Sequence, residues 1–219
     1  MSLQSRTRQL DAELTAAMDI EVLKRIQEAD RDIIGSGLYE TAIGAGMSAP
    51  GFALENEVGE KVSLDALLSD GPVVLSFNRG SWCGFCRLEL AALEAARETL
   101  ESCGMTIVSI SPQSRSQNHA MQADLDLGFP VLSDPGARIA ALYGLAYTLP
   151  EGLQEVYRQS GLDIAAANAA DGKDAMRIPV PATYLISADG QVLYNFFDAD
   201  YRNRLDPEEL IAAQRAIAR

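Results

Sequence analysis

Val73-Val74-Leu75-Ser76-Phe77 is a β-branched and apolar run without polar alternation, the pattern of a central strand covered on both faces. A helix is expected after it, with Cys86, Leu90, Leu93 and Leu100 on its buried stripe and Gly104 at its end. Met105 to Ile110 reads as another strand, Ser114 to Leu125 as a helix, and Phe129-Pro130-Val131-Leu132 as a short strand. Asp134-Pro135-Gly136 then turns into a helix carrying Ile139 and Leu142. Such alternation implies an α/β fold with a largely parallel sheet. Thr183 to Ile186 and Val192 to Phe197 flank Asp189-Gly190, a hairpin signal, so the sheet ends antiparallel and is mixed as a whole. Asp206-Pro207-Glu208-Glu209 opens the last helix, with Asp206 as N-cap, Pro207 at the first helical position and Glu209 completing a capping box.

Two segments lie outside this core pattern. From Leu10 to about Ile34, Leu10, Leu14 and Met18 and then Val22, Ile26, Ala29 and Ile33 recur at helical spacing, predicting one or two amphipathic helices. Residues 1–47 are therefore read as an N-terminal helical arm, packed on its own domain or used to form a homodimer. Gly35, Gly37, Gly44, Gly46 and Pro50 mark the entry to the main domain, residues 48–219. Within it, 143–177 reads as an insertion beside the sheet. Thr148-Leu149-Pro150-Glu151 starts a helix over Leu153 to Gln159, and an Ala-rich, turn-rich stretch follows around Asp171-Gly172.

Composition narrows the chemistry. The 219 residues are 47% hydrophobic and 22% charged, enough to bury a core and incompatible with a disordered chain. Eighteen Lys and Arg against 31 Asp and Glu give a net charge of −13, and no basic patch is present. Nucleic acid and anionic membranes are thereby poor partners. The one histidine, His119, excludes multi-histidine metal sites, and any Ser-His or Cys-His nucleophilic pair would have to use it. No run of apolar residues is long enough for a transmembrane helix, and charged residues interrupt Met1 to Ala17, so a cytoplasmic location is expected.

The three cysteines are too few for a secreted disulfide framework, and two of them form Cys83-Gly84-Phe85-Cys86 where the central strand hands over to a helix. Cys83 falls at or near the helix N-terminus, where free backbone N–H groups and the positive end of the dipole favour a thiolate. Cys86, one turn on, is placed to attack a mixed disulfide or sulfenic acid formed on Cys83, or to be the attacked partner in the reverse sense. Trp82 can cover the sulfur with an apolar lid. Arg79 and Arg87 bring cations within reach, with Arg79 the stronger candidate because it ends the central strand, where open α/β sheets place their sites. This reading requires two sulfurs within bonding reach, at least one of them accessible and readily ionised.

Phe77-Asn78-Arg79-Gly80-Ser81-Trp82-Cys83-Gly84-Phe85-Cys86-Arg87-Leu88-Glu89-Leu90, with Phe129 to Pro135 and Val180-Pro181-Ala182-Thr183-Tyr184-Leu185-Ile186, resembles the peroxiredoxin-like branch of the alkyl hydroperoxide reductase and thiol-specific antioxidant family. The resemblance runs from about Ser48 to the C-terminus, excluding the insertion. It implies a thioredoxin-like fold with extra N-terminal elements and an enzyme that reduces hydroperoxides with electrons from a thiol donor such as thioredoxin, glutaredoxin or glutathione, without a cofactor. Glu89-Leu90 align Cys86 with the family's peroxidatic cysteine, Cys83 with its Thr/Ser and Arg79 with its motif proline. Helix position favours Cys83 as the first cysteine oxidised; this alignment favours Cys86. The family's activating arginine falls near Pro181 and is missing there, leaving Arg79 or Arg177 to substitute. Val180-Pro181 resembles the proline beside the active cysteines of thioredoxins, which implies a cis bond before Pro181.

Two alternatives stand beside this reading: a thioredoxin-type disulfide reductase, and a non-enzymatic protein using the motif as half of a metal site. Cys83, Cys86, Cys103 and His119 would supply four ligands, but Cys103 lies roughly five helical turns from the motif, about 25 Å. Distance thus argues against zinc and makes Cys103 a buried structural thiol, with His119 a solvated or capping residue.

Overall fold

A computed structural model of the chain describes residues 1–198 and 200–217. Two helices open it, α1 (Leu3–Ala17) and α2 (Ile20–Gly35), each started by a side chain that accepts backbone N–H groups, Ser2 for α1 and Asp19 for α2. The core elements follow as β1 (Ala53–Glu55), β2 (Lys61–Ser63), α3 (Leu64–Ser69), β3 (Val73–Phe77), α4 (Gly84–Ser102), β4 (Thr106–Ser111), α5 (Arg115–Leu125), β5 (Val131–Ser133) and α6 (Arg138–Leu142). Then come β6 (Ala146–Thr148), α7 (Glu151–Gln159), the short α8 (Ile164–Ala167), β7 (Arg177–Pro179), β8 (Ala182–Ile186), β9 (Val192–Phe197) and α9 (Pro207–Ile217).

Seven strands form one mixed sheet in the order β2-β1-β5-β4-β3-β8-β9. Only the β3–β4 and β4–β5 pairings are parallel; the outer ones are antiparallel. The sheet is therefore less parallel than strand and helix alternation implied, because β8 inserts beside β3 and because β1 and β2, too short to leave a periodic signal, form a hairpin at the other edge. β3 is buried along its whole length. Val73, Leu75 and Phe77 face one core with Val108, Ile110 and Tyr184. Val74 faces the other with Ile107, Leu185 and the expected stripe of α4, Leu90, Leu93 and Leu100.

The 143–177 segment contributes β6, α7 and α8, and β6 pairs with β7, which begins at its last residue, as a separate two-stranded sheet. Leu149, Leu153, Val156, Ile164 and Ile178 form a third core with Ile26 and Ala29 of α2, and Trp82 packs against it. α1 lies on α4, but not by the expected stripe. Leu3 and Thr7 are its buried residues, Leu10 is half-buried, and Leu14 is 43% exposed. The reason lies at the other end of the chain: Asp206 accepts the backbone N–H of Leu3 at 2.6 Å, fixing the first turns of α1 and leaving the last ones over solvent. At the start of α9 the Glu209 N–H goes to the Asp206 carbonyl at 3.0 Å, and the Glu209 carboxylate accepts from the Tyr194 hydroxyl.

Candidate functional site

The turn from β3 into α4 is held by side chains rather than by sheet. Asn78 donates to Ser109 Oγ at 2.9 Å and accepts the Gly80 N–H at 2.8 Å, and Gln113 Oε1 accepts the Ser81 N–H at 2.6 Å. Gly80 sits at φ 118°, and a Cβ there would fall 2.5 Å from the Gln113 side chain, so only glycine fits. The turn delivers Cys83 to the N-cap of α4, with no side-chain cap of its own, and Cys86 to the first turn. The expected placement at a helix N-terminus holds.

Accessibility does not. Cys83 is 4% exposed and Cys86 is fully buried, in a cluster with the buried Phe85 against which Leu10, Trp82 and Tyr201 pack. Trp82 packs against this cluster, and Leu10 of α1 and Tyr201, from the segment after β9, complete a roof that local sequence could not disclose. A cleft beside the motif is lined by Ser81, Trp82, Gln113 and Ile164 among others, and neither cysteine lines it.

Beneath the roof the two thiols have different surroundings. Cys86 Sγ accepts the backbone N–H of Arg79 and Nη2 of Arg204, each at 3.4 Å. Arg204 also pairs with Glu89, whose other oxygen accepts the Thr183 hydroxyl at 2.7 Å. Cys86, Glu89, Thr183 and Arg204 are all buried. A hydrogen bond from Cys86 pulls the Cys83 thiol well below the ordinary thiol range, and the charges of Arg79 and Arg204 add to the shift. Burial pushes Cys86 the other way, reinforced by the proton it shares with Cys83 and by that neighbour's charge. The two thiols are thus shifted in opposite directions, Cys83 toward the thiolate and Cys86 toward the thiol, although Arg204 and the Arg79 N–H at Cys86 Sγ act to lower Cys86 as well.

Arg79 explains how a thiolate tolerates burial. Its guanidinium is 1% exposed and lies 4.4 Å over the Tyr201 ring and 4.8 Å over the Trp82 ring, with Nη2 donating to the Tyr157 hydroxyl at 3.3 Å. Among the described residues it forms no ion pair with a carboxylate, and its Nε has no hydrogen-bond partner. A cation so deeply buried gains from negative charge around it, and its neighbours in that sense are Tyr147, Tyr157 and Cys83, with the Asp30 carboxylate also within reach of its charge.

The other sequence candidates fall as follows. Arg87 turns outward to pair with Asp124. Val180 and Pro181 are buried, and the register Phe77↔Ala182 sets them across from Asn78 and Arg79 at the end of β3. The Val180–Pro181 bond is trans, correcting the cis bond implied by the thioredoxin resemblance. Here Pro181 simply ends the connection from β7, whose Val180 N–H goes to the Leu145 carbonyl. Arg177 lies in β7, and the cation at Cys86 is Arg204 instead. Cys103 caps the far end of α4 and is half-buried rather than fully buried, and His119 is exposed on α5. Among the described residues no group of three or more His, Cys, Asp or Glu is placed to hold a metal ion, and no helix is long and apolar enough to cross a membrane.

With two sulfurs together, one ionised and one holding a proton, the arrangement can pass two electrons to a substrate that accepts them at sulfur or oxygen. Known proteins point the same way. The model of the AhpC/TSA family matches residues 45–195. Thiol-disulfide oxidoreductase ResA of Bacillus subtilis is 24% identical over 77% of this chain and 79% of its own length. Among solved structures, peroxidoxin BcpB of Mycobacterium tuberculosis superposes with a TM-score of 0.61 at 22% identity, over 80% of this chain and 98% of that one. AhpC of Enterococcus faecalis does so at 0.60 and 16% identity, over 81% and 93%. These likenesses bear out the α/β, thioredoxin-like fold with a central mixed sheet.

Proposed function

This chain belongs to the AhpC/TSA family, and from that premise we propose that it is a thiol-dependent oxidoreductase that reduces small hydroperoxides through Cys83 and Cys86. The observation that carries the proposal is the pair of neighbouring sulfurs at the start of α4, with the buried cations Arg79 and Arg204 acting on them. With Cys83 4% exposed, reaction requires the residues packed around it to yield, and a small hydroperoxide asks less of that opening than a protein disulfide does. The Cys83 thiolate attacks one peroxide oxygen; the S–O bond forms, the O–O bond breaks, and the departing oxygen takes a proton and leaves as alcohol or water. Arg79 and Arg204 stabilise the negative charge on that oxygen. Cys86 then attacks the Cys83 sulfenic acid, forming the S–S bond and releasing hydroxide, which leaves as water. Arg204 and the Arg79 N–H, both already at Cys86 Sγ, hold that sulfur as it becomes a thiolate. A thiol donor of the thioredoxin, glutaredoxin or glutathione kind returns two electrons to the disulfide.

Stopped-flow mixing of the reduced protein with hydrogen peroxide or an alkyl hydroperoxide tests the reading, together with sulfenic acid trapping in Cys86→Ser. Fast oxidation with a trapped Cys83 sulfenic acid is expected. A thioredoxin-type disulfide reductase is the second reading, favoured by the low-pKa first cysteine of the C-x-x-C pair and by the relative named thiol-disulfide oxidoreductase. Slow reaction with hydroperoxides but rapid reaction with glutathione disulfide or insulin would establish it instead.

A further inference from the structure

α1 is attached in an unusual way for a helix that covers reactive groups. Of its fifteen residues only Leu3 and Thr7 are buried. Its outer half is solvated, and it joins α2 through extended residues, Met18 at ψ 143° and Asp19 at ψ 141°. What holds it down is largely polar. Besides the Leu3 contact to Asp206, Gln4 donates to the Arg204 carbonyl at 3.1 Å, and Arg202 binds Asp11 of α1 at 3.0 Å. Arg202 also binds Asp30 of α2 at 2.5 Å and Asp200 at 2.7 Å, so one guanidinium latches both arm helices to the segment that carries Tyr201 and Arg204. The apolar contact that matters is Leu10. Its Cδ2 would lie 3.0 Å from a Cβ on Gly84, the residue after Cys83, and it packs against the buried cluster of Cys83, Phe85 and Cys86. An element with few buried contacts, hinged at one end and latched by partly exposed ion pairs, is one that opens locally before the fold does.

The charge balance under the roof depends on redox state. Going from thiolate and thiol to disulfide, the pair gives up two electrons and one proton and loses its negative charge. Arg79 then loses the charge of Cys83 while it stays buried against Tyr201 and Trp82, and the Asp30 carboxylate, which its charge also reaches, is itself held by Arg202. Water is the remaining source of solvation, and it enters where the roof is held most weakly.

We propose that α1 is a size-selective gate over the dithiol, with Leu10 as the specificity-determining residue and Arg202 as the latch: closed over the reduced pair, so that only small oxidants reach Cys83, and released by the disulfide, so that a larger thiol donor gains access. The proposal rests on the redox reading above for its biological sense. Its test does not, because the disulfide can be made with diamide rather than a hydroperoxide.

The closed state is read in a Cys103→Ser chain, to remove the half-buried third thiol, by comparing alkylation of Cys83 by iodoacetamide with that by a maleimide carrying a 5-kDa polyethylene glycol. In this background the bulky reagent should lag far behind the small one. Leu10→Ala, which trims the roof, and Arg202→Met, which leaves three carboxylates facing one another, should each speed the bulky reagent by about tenfold or more while changing the small one far less. The open state is read by hydrogen exchange of the 3–17 amides in the full wild-type chain, which should be about tenfold faster after diamide oxidation than in the reduced protein. Equal access of both reagents to the unmodified roof, or equal exchange in the two redox states, overturns the gate. Should hydroperoxide fail to oxidise the protein while these differences appear, the gate stands and the peroxidase reading falls.

Discussion

The dithiol has a floor and a roof built on opposite principles. In the floor, Cys86, Glu89, Thr183 and Arg204 are buried and joined by hydrogen bonds that cross from α4 to β8 and to the segment before α9. In the roof, Leu10 and Tyr201 are only half-buried, and the ion pairs of Arg202 reach water. Charges in the floor cannot be exchanged for solvent, so Arg204 stays fixed at Cys86 and acts on both sulfurs; most charges in the roof can, so they hold an element that is free to leave. One region sets the chemistry and the other sets admission.

The sharpest way to break this division is to remove the nucleophile without disturbing either region. Cys83→Ser should lower thiol-dependent hydroperoxide turnover by about a thousandfold or more, as measured by peroxide consumption with a dithiol reductant. Retained turnover would move the chemistry to Cys86. Next in size is the floor's ion pair. Glu89→Gln leaves Arg204 buried without its carboxylate and should cost about 3–5 kcal/mol of stability in urea unfolding of the reduced protein. Asp11→Asn, which removes a comparable contact from the roof, should cost about 1 kcal/mol or less. Similar losses at the two positions would erase the contrast.

A third prediction concerns pH. Because the folded Cys83 thiol lies below its ordinary range, iodoacetamide should alkylate it at a constant rate from neutral into mildly acidic solution, slowing only as pH falls through the lowered pKa. Arg79→Met removes the buried cation, so the midpoint of that fall should rise by about one pH unit or more. The linked stability has the matching sign. Cys83, depressed in the fold, adds stability that is fully present above the ordinary thiol pKa and is lost as pH falls. Cys86, raised in the fold, behaves oppositely: its proton is retained below the ordinary thiol pKa, and its contribution is lost as pH rises beyond it. The pair's contribution to the stability of the reduced protein should therefore peak near the ordinary thiol pKa, measured as the difference from a Cys83→Ser/Cys86→Ser chain.

What the sequence disclosed of this site follows a simple physical boundary. The α4 stripe, the strand before it and the position of Cys83 at a helix start are local consequences of periodicity, and Arg79 and Trp82 were legible because they adjoin the motif. Arg204 was not, since its contact with Cys86 spans 118 residues and nothing in the irregular segment before α9 marks a buried cation. The vacancy near Pro181 signalled that an arginine had to come from elsewhere, without saying where. Glu89 registered as an alignment marker rather than as the carboxylate that holds Arg204. The roof was hidden for a related reason. Helical spacing predicted that α1 would bury Leu14, but the tether between Leu3 and Asp206 set which face and which half of the helix meets α4. Periodicity identifies a face; only tertiary anchors identify what that face covers.

The smallest expected effect separates nearness in sequence from nearness in charge. Arg79 and Arg87 flank the same motif, yet one is sealed under Tyr201 and Trp82 while the other, 33% exposed, pairs with Asp124, itself 62% exposed. Water screens that surface pair and replaces either partner at little cost, so Arg87→Ala should change stability by less than about 1 kcal/mol. Its distance from the buried sulfurs in the electrostatic sense should leave the pH midpoint of Cys83 alkylation where it is in the wild type, in contrast to Arg79→Met. A midpoint that moved as far for Arg87→Ala as for Arg79→Met would mean that the helix start as a whole, rather than the one sealed guanidinium, holds Cys83 ionised.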